Sequence, residues 1–427
     1  MAETDNTKPH HEERGHVSET LLHHHKKTMG GRDPHEEHRV ATPLELLFDL
    51  TFVVAFGVAA SQFAHMLAEG HYGTALFGFA FATFGICWAW INFSWFASAY
   101  DTDDWIYRIT TMVQMIGVSI LALGIAPFFA SLEHGSHFDN SVIVLGYVVM
   151  RVAMMFQWIR AARQDPQRRS TCLTYAAAIL IAQVGWCVLI FLDMPNGITL
   201  AAMAVLYLVE LSGPYIAEQK NGGTPWHAHH IAERYACLAI IALGEGVVGT
   251  IAALSAVIRD QGWSTDVALV GLAGIGLTFG IWWSYFVLPS GDILHRFRDQ
   301  SFVWGYGHMV TIAAIVATGA GLDVAALFIE HKAHIGALPA VMTVAIPVSI
   351  FIASLYAIYA YMVGEFDRFH IWLIAGTAAV IAVAIFAASA GLSMPLCLVI
   401  LSVAPAVTVI GYEIVGHRHQ AAVLGKD

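Results

Sequence analysis

Twelve apolar runs, each long enough to cross a membrane, constrain the fold of this chain more than any other feature. A helix of about 20 apolar residues crosses roughly 30 Å of hydrocarbon, and lipid admits only helices and closed barrels. Turn residues such as Gly70, Pro195 and Gly391 separate the runs. The sequence therefore predicts an all-α polytopic membrane protein with about twelve transmembrane helices. The runs cover residues 44–66, 75–99, 109–130, 140–160, 172–192, 197–217, 234–257, 266–288, 302–324, 338–362, 370–390 and 394–415.

The composition agrees with this class and excludes others. Apolar residues make up 57% of the chain and charged residues 12%, against about 25% charged in soluble proteins. The net charge of −11 gives no reason to expect nucleic-acid binding, which needs a basic face. The five cysteines show no CxxC spacing and are interpreted as small buried hydrophobic residues. Neither a cofactor motif nor a soluble-type catalytic motif is present, so we expect no cofactor and no enzyme.

Lysine and arginine residues predict the orientation, because cytoplasmic loops carry the excess of both. With the N-terminus inside, 18 of the 21 fall on the cytoplasmic side, and only Arg259 and Lys332 fall outside. The remaining residue, Arg151, lies within the fourth run. We also see no cleavable signal peptide, since the first forty residues are polar. The prediction is a bacterial inner-membrane protein with both termini cytoplasmic, in contact with the lipid bilayer and of undetermined oligomeric state.

An internal repeat is indicated by residues 83–86 (TFGI), which recur as 278–281 at an offset of 195. Three further pairs fall at matching places: Trp88 and Trp283, Glu45 and Glu233, and Glu210 and Glu413. We interpret them as two six-helix halves in the same orientation, an arrangement that commonly places a site between the halves. The predicted divisions are a polar, disordered tail over 1–40, the halves 41–217 and 233–416, a connector over 218–232, and a tail over 417–427.

Ionisable residues inside the apolar runs are the main functional signal, because charge is costly in the membrane. Arg151 lies roughly 13 Å deep and Asp49 and Glu210 roughly 9 Å deep, from the helical rise per residue. These depths predict a cluster of one arginine and two carboxylates, with Asp49 as the first partner of Arg151. The alternative is that the cluster only locks three helices together.

Glu245 is the deepest acid and is flanked by Gly244 and Gly246, which allow close approach of another helix or a ligand. It could carry a proton or, equally, stay protonated and bond a neighbouring helix. We include Glu45 as well, which enters the membrane on the same helix face as Asp49. The candidate solute or ion path is Glu45, Asp49, Arg151, Glu210, Glu233 and Glu245.

Histidines offer a weaker metal signal. His229, His230 and Glu233 have helical spacing that can present ligands to a metal, although a helix cap explains them more simply. The tail histidines could buffer metal, but a disordered extension is favoured. They are His10, His11, His16, His23, His24, His25, His35 and His38. Tryptophans 88, 90, 95, 282 and 283 could line a ligand path, but core packing or interfacial anchoring is favoured.

Three segments together resemble the bacterial low temperature requirement protein A (LtrA) family: 39–53, 230–234 and 240–245. The resemblance covers about residues 38 to 415 and implies a polytopic bacterial membrane protein named for a growth phenotype in the cold. It implies no established substrate or reaction. The long His-rich tail departs from the short segment usual in the family, so the resemblance implies nothing for it.

We therefore expect a permease-like protein in which the buried ionisable groups bind or relay a proton or small ion coupled to an unknown solute. A second hypothesis is a non-transporting sensor or scaffold that affects growth in the cold, with the tail as its responsive element. A third hypothesis, an intramembrane enzyme acting on a lipid, is supported only by Glu245 and the cluster from His227 to Glu233.

Overall fold

A computed structural model describes residues 27–36, 39–134, 138–192, 194–220, 222–364, 368–418, 420 and 425. Over these residues the chain is all-α, and twelve of its helices are long and apolar enough to span a membrane. The predicted fold class and number of spans are confirmed. All five cysteines are free, and Cys87, Cys172 and Cys397 are buried.

The helices are numbered α1 to α13 along the chain, and α9 is a short helix between two spans. They are α1 Pro43–Ala68, α2 Tyr72–Tyr100, α3 Trp105–His134, α4 Ser141–Gln164, α5 Arg169–Phe191, α6 Asn196–Glu218, α7 Ala228–Gln261, α8 Thr265–Phe286, α9 Ser290–Arg296, α10 Ser301–Ile329, α11 Ala337–Val363, α12 Arg368–Ser389 and α13 Met394–Gly411.

The N-terminus of α1 is capped by its own side chains, which explains why a helix begins here at the membrane boundary. The Thr42 hydroxyl accepts a hydrogen bond from the Glu45 backbone N–H at 3.3 Å, and the Glu45 carboxylate accepts one from the Thr42 N–H at 2.7 Å. This reciprocal capping box satisfies two backbone donors, and Pro43 is preorganised for the first helical position. The cap therefore fixes the Glu45 carboxylate at the membrane entrance.

Helix α10 is the centre of the bundle, because 78% of its most apolar stretch is buried inside the protein. The same share is only 22% for α6 and α12, which therefore lie at the lipid-facing periphery. Helix α10 packs against α7, α11, α1 and α2, and α1 also packs against α7. The first and second groups of six spans thus meet through α1 and α2 on one side and α7 and α10 on the other.

The two groups of six spans differ in how their second and sixth helices meet. Helix α8 packs along α13, and a Cβ added to Gly280 of α8 would lie 3.0 Å from Pro405 Cβ. Helices α2 and α6 do not pack closely, and nothing lies within 4 Å of a Cβ added to Gly85 of α2. Space therefore opens beside α2 that is closed beside α8. The proposed repeat itself stays a prediction.

Part of the N-terminal tail packs onto one end of the bundle, which we call the Asp101 end because residues 101–104 form part of it. Met29 is buried, and its N–H donates to Gln164 Oε1 at 2.7 Å. The Arg32 N–H donates to the Ala99 carbonyl at 2.8 Å. Residues 27–36 therefore belong to the folded protein, although the predicted disordered tail extends to residue 40. Seven of the tail histidines lie outside the described residues, and His35 lies within them.

Candidate functional site

An ion cluster joins α1 to α7 near the Asp101 end, and Arg234 is at its centre. The buried Arg234 guanidinium lies 2.6 Å from Asp49 Oδ1 and 3.3 Å from Glu45 Oε1. His230, one turn earlier on α7, places Nε2 3.1 Å from Glu45 Oε1. We call Arg39, Glu45, Asp49, Asp101, His230 and Arg234 the ion cluster. It connects the first helices of the two groups of six spans.

Neighbouring groups complete the ion cluster. Trp90 Nε1 donates to Asp49 Oδ1 at 2.7 Å, and Arg39 lies 3.7 Å from both Glu45 Oε1 and Asp101 Oδ2. Asp101 lies between spans, where burial and secondly the charge of Glu45 raise its pKa to about 6. The cluster therefore contains a carboxyl group whose pKa burial raises above its ordinary value.

Arg151 forms a second, separate group with Glu210. Arg151 Nη2 lies 3.0 Å from Glu210 Oε2, and the same carboxylate accepts from Trp88 Nε1 at 2.9 Å and from Gln183 Nε2 at 3.0 Å. Both ionic side chains are buried. The predicted contact between Arg151 and Glu210 is confirmed, and we call Trp88, Arg151, Gln183 and Glu210 the Arg151 group.

The prediction that Asp49 is the first partner of Arg151 was wrong, because depth along a helix does not say which helices adjoin. Helix α1 packs against α2, α3, α7 and α10, whereas α4 packs mainly against α3 and α5. Trp88 and Trp90 of α2 lie between the two carboxylates. Being two residues apart on a helix, they face different sides, and each bonds one carboxylate.

Glu245 stands apart from both groups. Its carboxylate is buried on α7, and it accepts no hydrogen bond from the residues that the structure describes. A Cβ added to Gly57 of α1 would lie 3.4 Å from Glu245 Oε1, and one added to Gly319 of α10 would lie 2.5 Å from the Glu245 carbonyl carbon. The sequence predicted from Gly244 and Gly246 that another helix or a ligand approaches Glu245 closely. Helices α1 and α10 do so, and the glycines that allow it are Gly57 and Gly319 on those helices.

The three metal candidates do not converge. His229 Nε2 lies 3.0 Å from Asp292 Oδ1, His230 lies against Glu45, and Glu233 Oε2 accepts from the Ala41 N–H at 3.2 Å. Within the described part of the chain no group of three or more histidine, cysteine or acidic residues is placed to hold a metal. The weak metal hypothesis thus has no geometric support, and Glu233 helps to hold the segment before α1.

A cavity of about 460 Å³ opens where α2 and α6 separate. We call it the aromatic cavity. Residues of the first six spans line about half of its wall, and the connector after α6, the segment before α10 and the first turns of α10 line the rest. Its volume falls in the range of about 300–1,000 Å³ that is usual for small-molecule sites. The rings around it are those of Trp88, Trp95, Trp158, Tyr175, Tyr215, Trp226, Phe302 and Tyr306.

Three charged residues also line the aromatic cavity: Glu218, Arg298 and Asp299, of which Asp299 is exposed. Glu218 is already satisfied, since it accepts from the Tyr175 hydroxyl at 2.7 Å and from the Thr224 hydroxyl and N–H at 2.7 and 2.9 Å. The Arg298 guanidinium lies 3.8 Å over the Trp226 ring, and its Nη2 donates to the Trp226 carbonyl at 2.8 Å. Arg298 Nη1 is buried and has no hydrogen-bond partner among the described residues. The cavity wall therefore contains one arginine with an unpartnered donor.

Sequence reasoning missed Arg39, Asp101 and Arg234 as cluster members, and it missed Glu218, Arg298 and Trp226 as cavity residues. Arg234 could have been found from its position, because it falls on the first helix of the second predicted half and thus opposite Asp49. The cavity residues follow from the separation of α2 and α6, for which no sequence signal is apparent. Of the predicted path residues, the structure brings Glu45 to Asp49 and Arg151 to Glu210, and leaves Glu233 and Glu245 apart.

Comparison with known proteins supports a single family. An uncharacterised protein of Rhizobium meliloti (strain 1021) is 24% identical over 294 residues, which cover 65% of this chain and 68% of that protein. No solved structure matches. The profile of the bacterial low temperature requirement A protein (LtrA) family matches residues 40–405, which include the ion cluster except Arg39, the Arg151 group and the aromatic cavity. The chain belongs to the bacterial low temperature requirement A (LtrA) family.

Proposed function

We propose that this protein is a permease-like transporter, and not an enzyme, that binds a small solute in the aromatic cavity. The observation that carries the proposal is the cavity itself, which lies between α10 and the first six spans. Clefts between packed helices are common ligand sites, and repeated bundles place them between repeats. With the N-terminus inside, as proposed from the loop charges, the Asp101 end and the cavity mouth are cytoplasmic.

The predicted repeat, if it is real, supports this proposal. Trp88 Nε1 donates to Glu210 in the first six spans, and Trp283 Nε1 donates to Glu413 at 3.3 Å in the second. The two bonds join residues that the sequence had already paired. Helices α8 and α13 pack along each other, whereas α2 and α6 meet mainly through side chains such as Trp88 and Glu210. We propose that the two halves share one plan, which is more open in the half where the cavity lies.

The Arg151 group connects the cavity wall to a buried ion pair. Trp88 lines the cavity and also bonds Glu210. A solute that moves this indole would change the hydrogen bonding of the carboxylate, and would thus alter the balance of a charge pair in a low-dielectric environment. Glu245, which no described residue hydrogen-bonds, is our proposed proton carrier.

The test is solute-dependent charge movement by purified protein in proteoliposomes under an imposed pH gradient, over a panel of small solutes. We expect Ser301→Trp, which fills the cavity wall, to abolish uptake. Glu245→Gln should abolish coupling to protons while leaving solute binding intact, and Asp49→Asn tests the ion cluster in the same assay. Ala204→Trp on the lipid-facing side of α6 is the matched control. Uptake that survives Ser301→Trp in folded protein would contradict the proposal.

A sensor or scaffold is the second candidate, and the packed tail segment favours it. His227 Nε2 lies 3.0 Å from the Glu36 carbonyl at the start of α7, so the tail contacts the ion-cluster helix. Deleting residues 1–26 removes the part of the tail before the docked segment, and deleting 1–37 also removes the docked segment. Loss of a cold-growth phenotype on either deletion, with transport intact, would favour the sensor.

A further inference from the structure

A second, larger cavity continues from the aromatic cavity along the same two helices. It has a volume of about 730 Å³ and lies between α1, α2, α10 and α11. Tyr306 lines both cavities, and its hydroxyl donates to the Leu211 carbonyl at 3.0 Å. We call the second cavity the apolar groove. It is partly open to lipid, since Leu76 and Val310 on its wall are 58% and 51% exposed.

The two cavities follow one another along the membrane normal. On α2 the groove ends at Phe84 and the aromatic cavity runs from Trp88 to Trp95. On α10 the aromatic cavity ends and the groove begins at Tyr306. From Trp95 to the far end of the groove at Tyr72 the helical rise gives about 35 Å, close to the ~30 Å hydrocarbon thickness. Together they form one track across the membrane.

The groove end of the track offers few polar groups to a solute. Its threonines are engaged by their own helices, because the Thr83 hydroxyl donates to the Phe79 carbonyl at 2.6 Å and the Thr343 hydroxyl to the Ala340 carbonyl at 2.7 Å. The rest of the wall is almost wholly apolar. A polar or ionic solute would lose its hydration there without compensation, whereas an alkyl chain would not.

The cavity end of the track favours an anionic group. Arg298 lines this end, its buried Nη1 has no hydrogen-bond partner among the described residues, and stacking on Trp226 holds its guanidinium in place. Guanidinium binds phosphate and carboxylate groups through paired donors. Glu218 is fully engaged by Tyr175 and Thr224, so Asp299, which is exposed, is the carboxylate of the wall that can compete for a cation, and a cationic amphiphile tests that alternative.

We propose that the ligand is an amphiphile whose anionic headgroup binds Arg298 in the aromatic cavity and whose alkyl chain lies in the apolar groove beyond Tyr306. This inference rests on the aromatic cavity being the binding site of the proposed function, and it names the substrate class. It narrows the unknown solute to molecules that carry a phosphate or carboxylate on a chain.

The test uses full-length protein in nanodiscs of phosphatidylcholine, with radiolabelled decyl phosphate as the probe and empty nanodiscs as the background. Decanoate, butyl phosphate, inorganic phosphate and decyltrimethylammonium are the competitors. We expect the two long-chain anions to compete at least tenfold better than butyl phosphate or inorganic phosphate, and decyltrimethylammonium not to compete. The relative strength of competition by decanoate and by unlabelled decyl phosphate shows whether the site prefers a carboxylate or a phosphate headgroup, and so distinguishes a fatty acid from a phosphate lipid.

Variants separate the two ends of the ligand. Arg298→Gln should weaken binding of butyl and decyl phosphate alike by tenfold or more. If Arg298→Gln fails to fold, Arg298→Lys replaces it in the test. Because Arg298→Lys keeps the charge, it should bind both phosphates more weakly than wild type but more tightly than Arg298→Gln would. Ala313→Trp fills the groove wall and should remove the preference for the long chain while leaving butyl phosphate binding intact. Ala204→Trp should change neither.

The outcomes distinguish this inference from the proposed function. Equal binding of butyl and decyl phosphate would overturn the role of the groove. If Ser301→Trp abolishes uptake of a hydrophilic solute but no alkyl anion binds, the amphiphile inference is wrong and the proposed transport function stands. If there is neither uptake of a solute nor binding of an alkyl anion, the amphiphile inference and the proposed transport function are both wrong.

Discussion

Arg234 Nη2 lies 2.6 Å from Asp49 Oδ1, although the two residues are 185 positions apart in the chain. The contact joins the first helix of each group of six spans, and both side chains are buried. Because desolvating two charges is costly, such a pair fixes which helices adjoin more than it stabilises them. We therefore propose that the ion cluster aligns the two groups of spans beside the aromatic cavity.

Replacing Arg234 with Gln should destabilise the protein severely. The change leaves two carboxylates, Asp49 and Glu45, buried beside each other without their shared cation, and breaking a buried pair in this way costs about 3–5 kcal/mol. The measurement is the free energy of unfolding in detergent. Arg108→Gln is the control, since its pair with Asp103 is exposed and should contribute at most about 1 kcal/mol. Equal effects of both variants would contradict the prediction.

Glu210→Gln and Glu413→Gln make the same chemical change at positions that the predicted repeat pairs. Glu210 is buried against Arg151, so its neutralisation should destabilise by about 3–5 kcal/mol. Glu413 is exposed and bonds only Trp283 in the described part of the chain, so its neutralisation should stay within about 0.5 kcal/mol. Melting temperatures in detergent measure both. A small effect of Glu210→Gln would show that Arg151 finds another partner.

Gly319 is required for the close contact of α10 with α7. A Cβ there would lie 2.5 Å from the Glu245 carbonyl carbon, so Gly319→Ala must push the helices apart and should cost about 1–3 kcal/mol. Gly244→Ala is the matched control on α7, because nothing lies within 4 Å of its added Cβ; it should be neutral or stabilise by up to about 1 kcal/mol from helix propensity. If Gly319→Ala melted like wild type, α10 could not lie as close to Glu245 as described.

The fold could be predicted from the sequence to a large extent, because twelve apolar runs separated by turn residues admit few alternatives in lipid. The pairing of buried charges could not. The depth of Asp49 correctly indicated that its buried charge needs a partner. Depth along a helix carries no information on which helices are neighbours, however, and the partner is Arg234 and not Arg151. That information lies in tertiary packing, which a single sequence does not display.

The aromatic cavity was only partly foreseeable. Trp88 and Trp95 were candidates for a ligand path, although core packing had been favoured, and both line the cavity. Arg298 gave no signal, because an arginine in a loop between spans is ordinarily a topology determinant. It became a site candidate only when the structure placed it over Trp226 with one donor unpaired.

The titration of Asp101 predicts a pH dependence with a definite sign. Burial raises its pKa to about 6 in the fold, against about 3.9 in an unfolded chain. Between these values the folded protein binds more protons than the unfolded protein, so stability from this group rises as the pH falls from about 7 to about 4. Asp101→Asn fixes the neutral state. The melting temperature of wild type minus that of Asp101→Asn should therefore increase on acidification from pH 8 to pH 5.

The difference between the two proteins reports Asp101 together with Glu45, whose charge also raises the pKa of Asp101, because titrating groups that do not interact with Asp101 cancel. His227 is one of them, since burial lowers its pKa and it opposes folding as the pH falls. Arg39 favours the ionised form of Asp101, so in an Arg39→Gln background the rise should begin at higher pH. A difference that stays flat from pH 8 to pH 5 would mean that Asp101 remains ionised beside Arg39, and that the ion cluster holds a fixed charge instead of a titrating one.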